Sequence, residues 1–314
     1  MKSAKNNIPI ICLTDSCNQR CLFCSRPGEK LRYGAKRIKA VIAEFKGTVC
    51  FEGGEPTLAP DVLKWVRYAA AHGVRDRVLV TNGFGLEKPE TARRYLEAGV
   101  TMFNVNLPAH NGALFDRLTR TKGNFDKRVA AVKNLIALAG PGSVRVTLVL
   151  NSLILRSLPA YARFVLKEFP GLFYLEINFP KLMGGCAERP ALVPTLTAAE
   201  PWLQKAFGLL EAGGANFLAD SVPLCFMKGF EHRSIDAHML ARGEQRHYFG
   251  EKERTGRCTG CALAGVCSGP RKDYTARFGD GELRPVSKAP AGLLARLKAG
   301  FNRSAKKPGA GPRH

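Results

Sequence analysis

Cys17-Asn18-Gln19-Arg20-Cys21-Leu22-Phe23-Cys24 puts three thiols on one short stretch of a 314-residue chain. Three thiolates on one loop can hold three corners of a cubic iron–sulfur cluster and leave the fourth iron open, whereas a closed electron-transfer cluster needs four cysteines. An open coordination position separates a catalytic metal site from a structural one. By spacing alone, a zinc site or unconnected cytosolic cysteines remain as alternatives.

The next informative stretch lies one strand and one helix further on. The apolar run Thr48–Phe51 leads into Glu52-Gly53-Gly54-Glu55-Pro56. Two glycines directly after a strand let the backbone approach a ligand that a side chain would block. Glu55 offers a carboxylate to a cation, and Pro56 biases it to extended geometry before a helix starting near Asp61. With the three cysteines first, Phe23 just before the last of them, and Gly-Gly-Glu following, the chain resembles the radical S-adenosylmethionine (SAM) superfamily. The resemblance implies a 4Fe–4S cluster on Cys17, Cys21 and Cys24 whose open iron chelates the amino and carboxylate groups of SAM. It implies reductive cleavage of SAM to methionine and a 5′-deoxyadenosyl radical, with reduced flavodoxin or ferredoxin as electron donor. It also implies that Gly53, Gly54 and Glu55 meet the SAM amino group and that Phe23 lies against adenine.

Strand-like and helix-like segments alternate six times. Strands are predicted at Ile8–Leu13, Thr48–Phe51, Arg77–Thr81, Thr101–Leu107, Val144–Leu150 and Phe173–Phe179. Repeated βα units with Val/Ile/Leu-rich strands predict an α/β fold with a parallel sheet covered by helices. Six units are too few for a closed eight-fold barrel, and the resemblance implies a partial (β/α)6 TIM-like barrel. Ligand chemistry then belongs at the carboxyl ends of the strands. That rule nominates Asn82, Asn106, Asn151 and Asn178, and by the resemblance Asn82 and Asn106 serve SAM, with Ile177 or Asn178 offering backbone to adenine. His110, above the fourth strand, is the candidate for moving a proton near neutral pH; capping the following helix is its other reading. Arg145 reads as a buried pairing residue, Cys12 and Cys50 as small core hydrophobes, and Cys186 as a loop thiol on the active-site side.

Past a helix at Ala198–Leu210 the pattern changes. Cys225 is followed by Cys258-Thr-Gly-Cys261 and then Cys267, four cysteines in all. They suffice for one complete cluster or for a zinc knuckle. The Cx2Cx5C run resembles part of the SPASM and twitch extensions of radical SAM enzymes. Arg271 stands where full SPASM domains carry a further Cys, so one auxiliary 4Fe–4S cluster in a shortened, twitch-like domain is expected. The predicted organisation is a barrel over 1–212, an auxiliary domain over 213–282 and a tail over 283–314.

No run reaches the ~20 apolar residues of a membrane span. Ten cysteines without an export signal point to a reducing, cytoplasmic setting and metal ligation rather than disulfides. The net charge of +22 is uneven, since eight Lys/Arg and no acidic residue lie beyond Glu282. In that tail Leu293, Leu294, Leu297 and Phe301 form one apolar stripe, which reads as a docking helix followed by a basic end open to nucleic acid or an anionic surface. The activity expected is hydrogen abstraction from an unactivated carbon. A peptide substrate (a maturase role) comes first, with a small-molecule or cofactor-biosynthesis role as the alternative, then RNA, then a non-catalytic iron–sulfur or zinc scaffold.

Overall fold

The apolar runs do form strands, and in a computed structural model describing residues 8–244 and 247–300 they pair strictly in chain order. β1 (Ile10–Cys12), β2 (Thr48–Glu52), β3 (Asp76–Thr81), β4 (Met102–Asn106), β5 (Val144–Val149) and β6 (Tyr174–Asn178) are all parallel to their neighbours. A seventh strand, β7 (Phe217–Asp220), extends the sheet beyond β6 with Ile177 opposite Ala219. It was missed because four residues, two of them alanine and aspartate, give almost no apolar run. It also lies past residue 212, where the barrel was expected to end. β1 and β7 do not pair, so the sheet is an open, partial barrel.

Parallel strands need crossover helices, and the strand alternation sends one set of side chains to them. Ile11, Phe51, Leu79, Phe103, Val146 and Leu175 are fully buried under α1 (Ala35–Glu44), α2 (Val62–Ala71), α3 (Pro89–Glu97), α5 (Phe125–Ala139) and α6 (Leu158–Glu168). The first turn of α4 (Gly112–Thr119) is set by Asn111, whose side chain accepts the Leu114 N–H at 3.0 Å; such a cap stabilises by about 1 kcal/mol.

The other strand face is polar. Arg145 donates to the Tyr174 hydroxyl (2.8 Å) and stands 3.6 Å from Glu176. Thr147 and Asn104 bond at 2.5 Å, with the Asn104 amide turned so that its oxygen accepts from Arg145. Arg145 is thus a buried pairing residue of the lumen. Cys12 and Cys50 are buried but lie outside the helix-side core, on the lumen face; Cys12 lines the cavity described below. Their apolar neighbours in sequence alternate to the opposite face.

After β7 the chain packs against the β6–β7 edge of the sheet. A parallel bridge joins Ala219 to Ser234 at the start of α9 (Ile235–Ala241). The fully buried Lys252 amine reaches Asp236 at 2.5 Å and Asp220 at 3.1 Å. Arg271, which opens α10 (Lys272–Phe278), pairs with Glu251 (2.7 Å) and Asp273 (2.8 Å), and Lys181 joins Glu251 at 2.9 Å. The last helix, α11 (Leu293–Ala299), docks through buried Leu293 and Leu297, with the Leu297 carbonyl 3.0 Å from His238 Nδ1. Leu294, expected in the docking stripe, is 49% exposed. Phe301 and the basic end lie outside the described residues. Among those described, no helix is long and apolar enough to cross a membrane.

Candidate cluster and cofactor site

The cysteine loop runs between β1 and α1 across the carboxyl ends of the strands, and it is stitched down on three sides. Gly54 and Glu55 N–H groups bond the Thr14 and Ser16 carbonyls at 2.7 and 2.8 Å, and Arg20 and Leu22 N–H groups reach the end of α4 at Thr119 and Leu118. The Gly185 N–H, at the start of the short helix α7 (Gly185–Glu188), donates to the Cys24 carbonyl at 2.8 Å. These approaches require glycine. A Cβ on Gly53 (φ +149°) would overlap the Thr14 carbonyl, one on Gly54 the Ser16 carbonyl, and one on Gly185 the Leu22 carbonyl. Gly184 (φ +51°) would meet Cys24 O at 2.5 Å. The Gly184–Gly185 brace was not foreseen, although Met183-Gly184-Gly185-Cys186 was the signal available for it.

Cys17, Cys21 and Cys24 face one cavity of about 530 Å³ together with Gly53, Gly54 and Glu52. Burial, then the neighbouring Cys17 and Cys24, push the Cys21 thiol up to about 12. Arg20, Arg26, Arg120 and Arg189 line the same cavity, with Asp15, Glu29 and Glu188. Asp15 is engaged by the Leu31 and Arg32 N–H groups and Glu188 by Arg189 at 2.8 Å. Glu52 closes the lumen side, its carboxyl raised by burial against the pull of Arg26, Arg145 and Lys181.

Residues 11–164 match the model of the radical SAM superfamily. They form a radical SAM domain. Members of this family act through a 4Fe–4S cluster and SAM. The chain is 32% identical over 184 residues to a GTP 3′,8-cyclase of Synechococcus elongatus, covering 54% of this chain and 53% of that one. It is 34% identical over 133 residues to a probable GTP 3′,8-cyclase of Saccharolobus islandicus, covering 40% and 42%. It thus spans about half the length or less of these curated relatives. A solved structure described as native anSMEcpe with bound AdoMet and Kp18Cys peptide shares the fold, with a TM-score of 0.56 at 13% identity over 81% of this chain and 69% of that one.

The radical SAM domain brings some expected residues together and withdraws others. Glu55 is 1% exposed. Its Oε1 accepts from the Thr57 N–H (3.0 Å) and the Thr57 and Thr81 hydroxyls (2.7 and 2.5 Å), and its Oε2 from the Asn82 N–H (2.6 Å). It clamps the end of β3 and does not line the cavity that holds the three thiols. Asn82 donates to Asn18 (2.7 Å), tying β3 to the cysteine loop. Asn151 is sealed off, its side chain bonded to the backbone of Val149 and Leu153. Ile177 packs in the core, held in register by Leu148 and Ala219, so its backbone is not free for adenine. Phe23 is closed into the core, where it anchors the loop.

Asn106 lies at the lumen end of β4 with its amide 3.4 Å from the Thr147 carbonyl. Asn178 Oδ1 is buried with no hydrogen-bond partner, an acceptor suited to a ligand donor. His110 does not line the cavity, and the cap of α4 is Asn111; burial lowers the His110 pKa and its Nδ1 has no partner. Cys186 is fully buried, and burial, then Asp273 and Cys24, push its thiol up to about 11.

The other four cysteines converge as well. Cys225, Cys258, Cys261 and Cys267 line one small cavity with Arg254, Arg257 and Arg284. Backbone N–H groups point at the sulfurs, Val286 to Cys261 and Gly269 to Cys267, each at 3.4 Å. Burial pushes the Cys225 thiol up to about 11. Gly269 (φ +78°) has no room for a Cβ against the Glu253 carbonyl.

Proposed function

We propose that Cys17, Cys21 and Cys24 hold the SAM-binding 4Fe–4S cluster and that the enzyme abstracts hydrogen from a small, anionic substrate of the cofactor-precursor class. The observation that carries this reading is the single cavity holding the three thiols, the Gly53–Gly54 backbone and four arginines. Held by Cys17, Cys21 and Cys24, the cluster with SAM would supply one-electron, hydrogen-abstracting chemistry. The chain contributes the rest. Gly53 and Gly54 bring the strand end close, and Arg20, Arg26 and Arg120 suit phosphate or carboxylate groups. The names of the curated relatives support a nucleotide-sized substrate, and a peptide maturase role gains nothing from them.

Cys225, Cys258, Cys261 and Cys267 would hold a second cluster as four closed ligands, with inward N–H groups and surrounding arginines balancing its negative charge. A Cys17/Cys21/Cys24→Ala triple variant should still bind about four irons; one zinc and no iron in that variant would make this region a structural knuckle. For the substrate, 5′-deoxyadenosine formation is measured with nucleoside triphosphates and with peptides. Stimulation by the nucleotides, with loss of a substrate hydrogen to deoxyadenosine, is expected. Stimulation by peptides alone would overturn the small-molecule reading.

A further inference from the structure

Arg128 on α5 is 4% exposed, yet its Nε and Nη1 are buried without any hydrogen-bond partner. A buried cation left without bonds is expensive, and the ordinary outcome is pairing with a carboxylate. Here no carboxylate bonds it. Glu55 exerts the strongest opposing pull, yet its hydrogen bonds go to Thr57, Thr81 and Asn82 and none joins it to Arg128. The next is Cys21, followed by Glu87 and Cys17, so two of the four charges that act on Arg128 are thiols of the cluster loop. Burial lowers the guanidinium pKa only to about 10, which keeps it charged at neutral pH.

The fold makes room for this side chain. A Cβ on Gly83, just past β3, would lie 2.5 Å from Arg128 Nη1 and 3.4 Å from its Cδ. Gly83 has φ +76°, so it combines the turn after Thr81-Asn82 with a slot for the guanidinium. Gly83 directly follows Asn82, whose side chain donates to Asn18 of the cysteine loop at 2.7 Å, so the slot that holds the guanidinium opens beside that loop; the Phe115 ring lies 5.9 Å from the guanidinium carbon.

We infer that Arg128 is the built-in counter-cation of the Cys17–Cys21–Cys24 cluster, a positioning residue whose fixed charge favours the reduced state. This rests on the assignment of that loop to the cluster. Reduction adds a negative charge to a site that already carries three thiolates. A neighbouring buried cation stabilises the reduced form more than the oxidised one, and net charge is one of the levers on cluster potential.

The test is an anaerobic redox titration of wild type, Arg128→Met and Arg128→Lys, followed by electron paramagnetic resonance. Only the signal that shifts on SAM addition is read, which separates this cluster from an auxiliary one. With iron content intact, Arg128→Met should lower the reduced-to-oxidised ratio at fixed potential about tenfold, equivalent to about 59 mV for one electron. Arg128→Lys, which keeps the charge, should recover most of the wild-type midpoint. An unchanged midpoint in Arg128→Met, or an equal fall in both variants, would overturn the inference. If Arg128→Met does not load iron, loading and a near-wild-type midpoint in Arg128→Lys support it, while failure of both variants overturns it in favour of a packing role. Absence of any SAM-responsive signal in wild type would instead remove the cluster assignment itself.

Discussion

Replacing Glu55 by Gln separates two roles that the Gly-Gly-Glu motif could serve. The carboxylate is 1% exposed and accepts four hydrogen bonds from Thr57, Thr81 and Asn82, at 2.5–3.0 Å. In Glu55→Gln the amide oxygen can keep the three bonds at Oε1, now without charge assistance. The amide nitrogen then faces the Asn82 N–H, donor against donor, in a buried site. Charge-assisted bonds are worth roughly twice neutral ones, and an unsatisfied buried donor costs about 1–3 kcal/mol. Relief of the carboxylate's own desolvation offsets part of this, for a net loss of about 2–4 kcal/mol. That is a large share of the ~5–15 kcal/mol by which domains are stable. Urea unfolding of the metal-free, SAM-free protein reads it directly. Equal stability of Glu55→Gln and wild type, accompanied by weaker SAM binding, would show that Glu55 acts as a ligand and refute the clamp.

Two further perturbations address the loop and the C-terminal extension. Gly185→Ala pushes a methyl group into the Leu22 carbonyl, so iron loading of the first cluster should fall while the four-cysteine site stays loaded, as counted by iron analysis in a Cys225→Ser background and in wild type. Loading equal to wild type in Gly185→Ala would show that α7 does not brace the loop. Burial alone would raise the Glu251 carboxyl, but bonds from Arg271 and Lys181 overcome it and hold its pKa at about 2. A carboxyl depressed on folding stabilises above its unfolded value, near 4.5, and that contribution is lost as pH falls toward about 2. Urea midpoints of metal-free protein should therefore fall more steeply over that window in wild type than in Glu251→Gln, and parallel slopes would remove the Lys181–Glu251–Arg271 clamp from the account.

The candidate cluster residues were legible because they are local in sequence. Three cysteines within eight residues, and Gly53-Gly54 directly after an apolar run, need no tertiary knowledge to be read. The parallel sheet followed from six apolar runs separated by helical patterns. β7 was not legible, because Ala219 and Asp220 owe their place to pairing with Ile177 and Asn178 and not to their own propensity. Strand-end polar residues were identified by position, but their direction depends on what lies beside them. Asn151 turned back on its own loop and Glu55 into a cage of donors, while Asn178 kept an open acceptor. Arg128 gave no sequence signal at all. On an amphipathic helix it reads as a solvated charge, and only the slot left by Gly83 shows that it points inward.

The most direct test of the account is quantification of 5′-deoxyadenosine and methionine after anaerobic reconstitution with iron and sulfide, addition of SAM and reduction by dithionite. Wild type should form the two products in equal amounts only when reduced. Cys17→Ala, Cys21→Ala and Cys24→Ala should each form none, since two thiolates cannot hold the cluster with its open iron. A fully reconstituted wild type that leaves SAM intact, or one of these variants that cleaves SAM at the wild-type rate, would contradict the assignment.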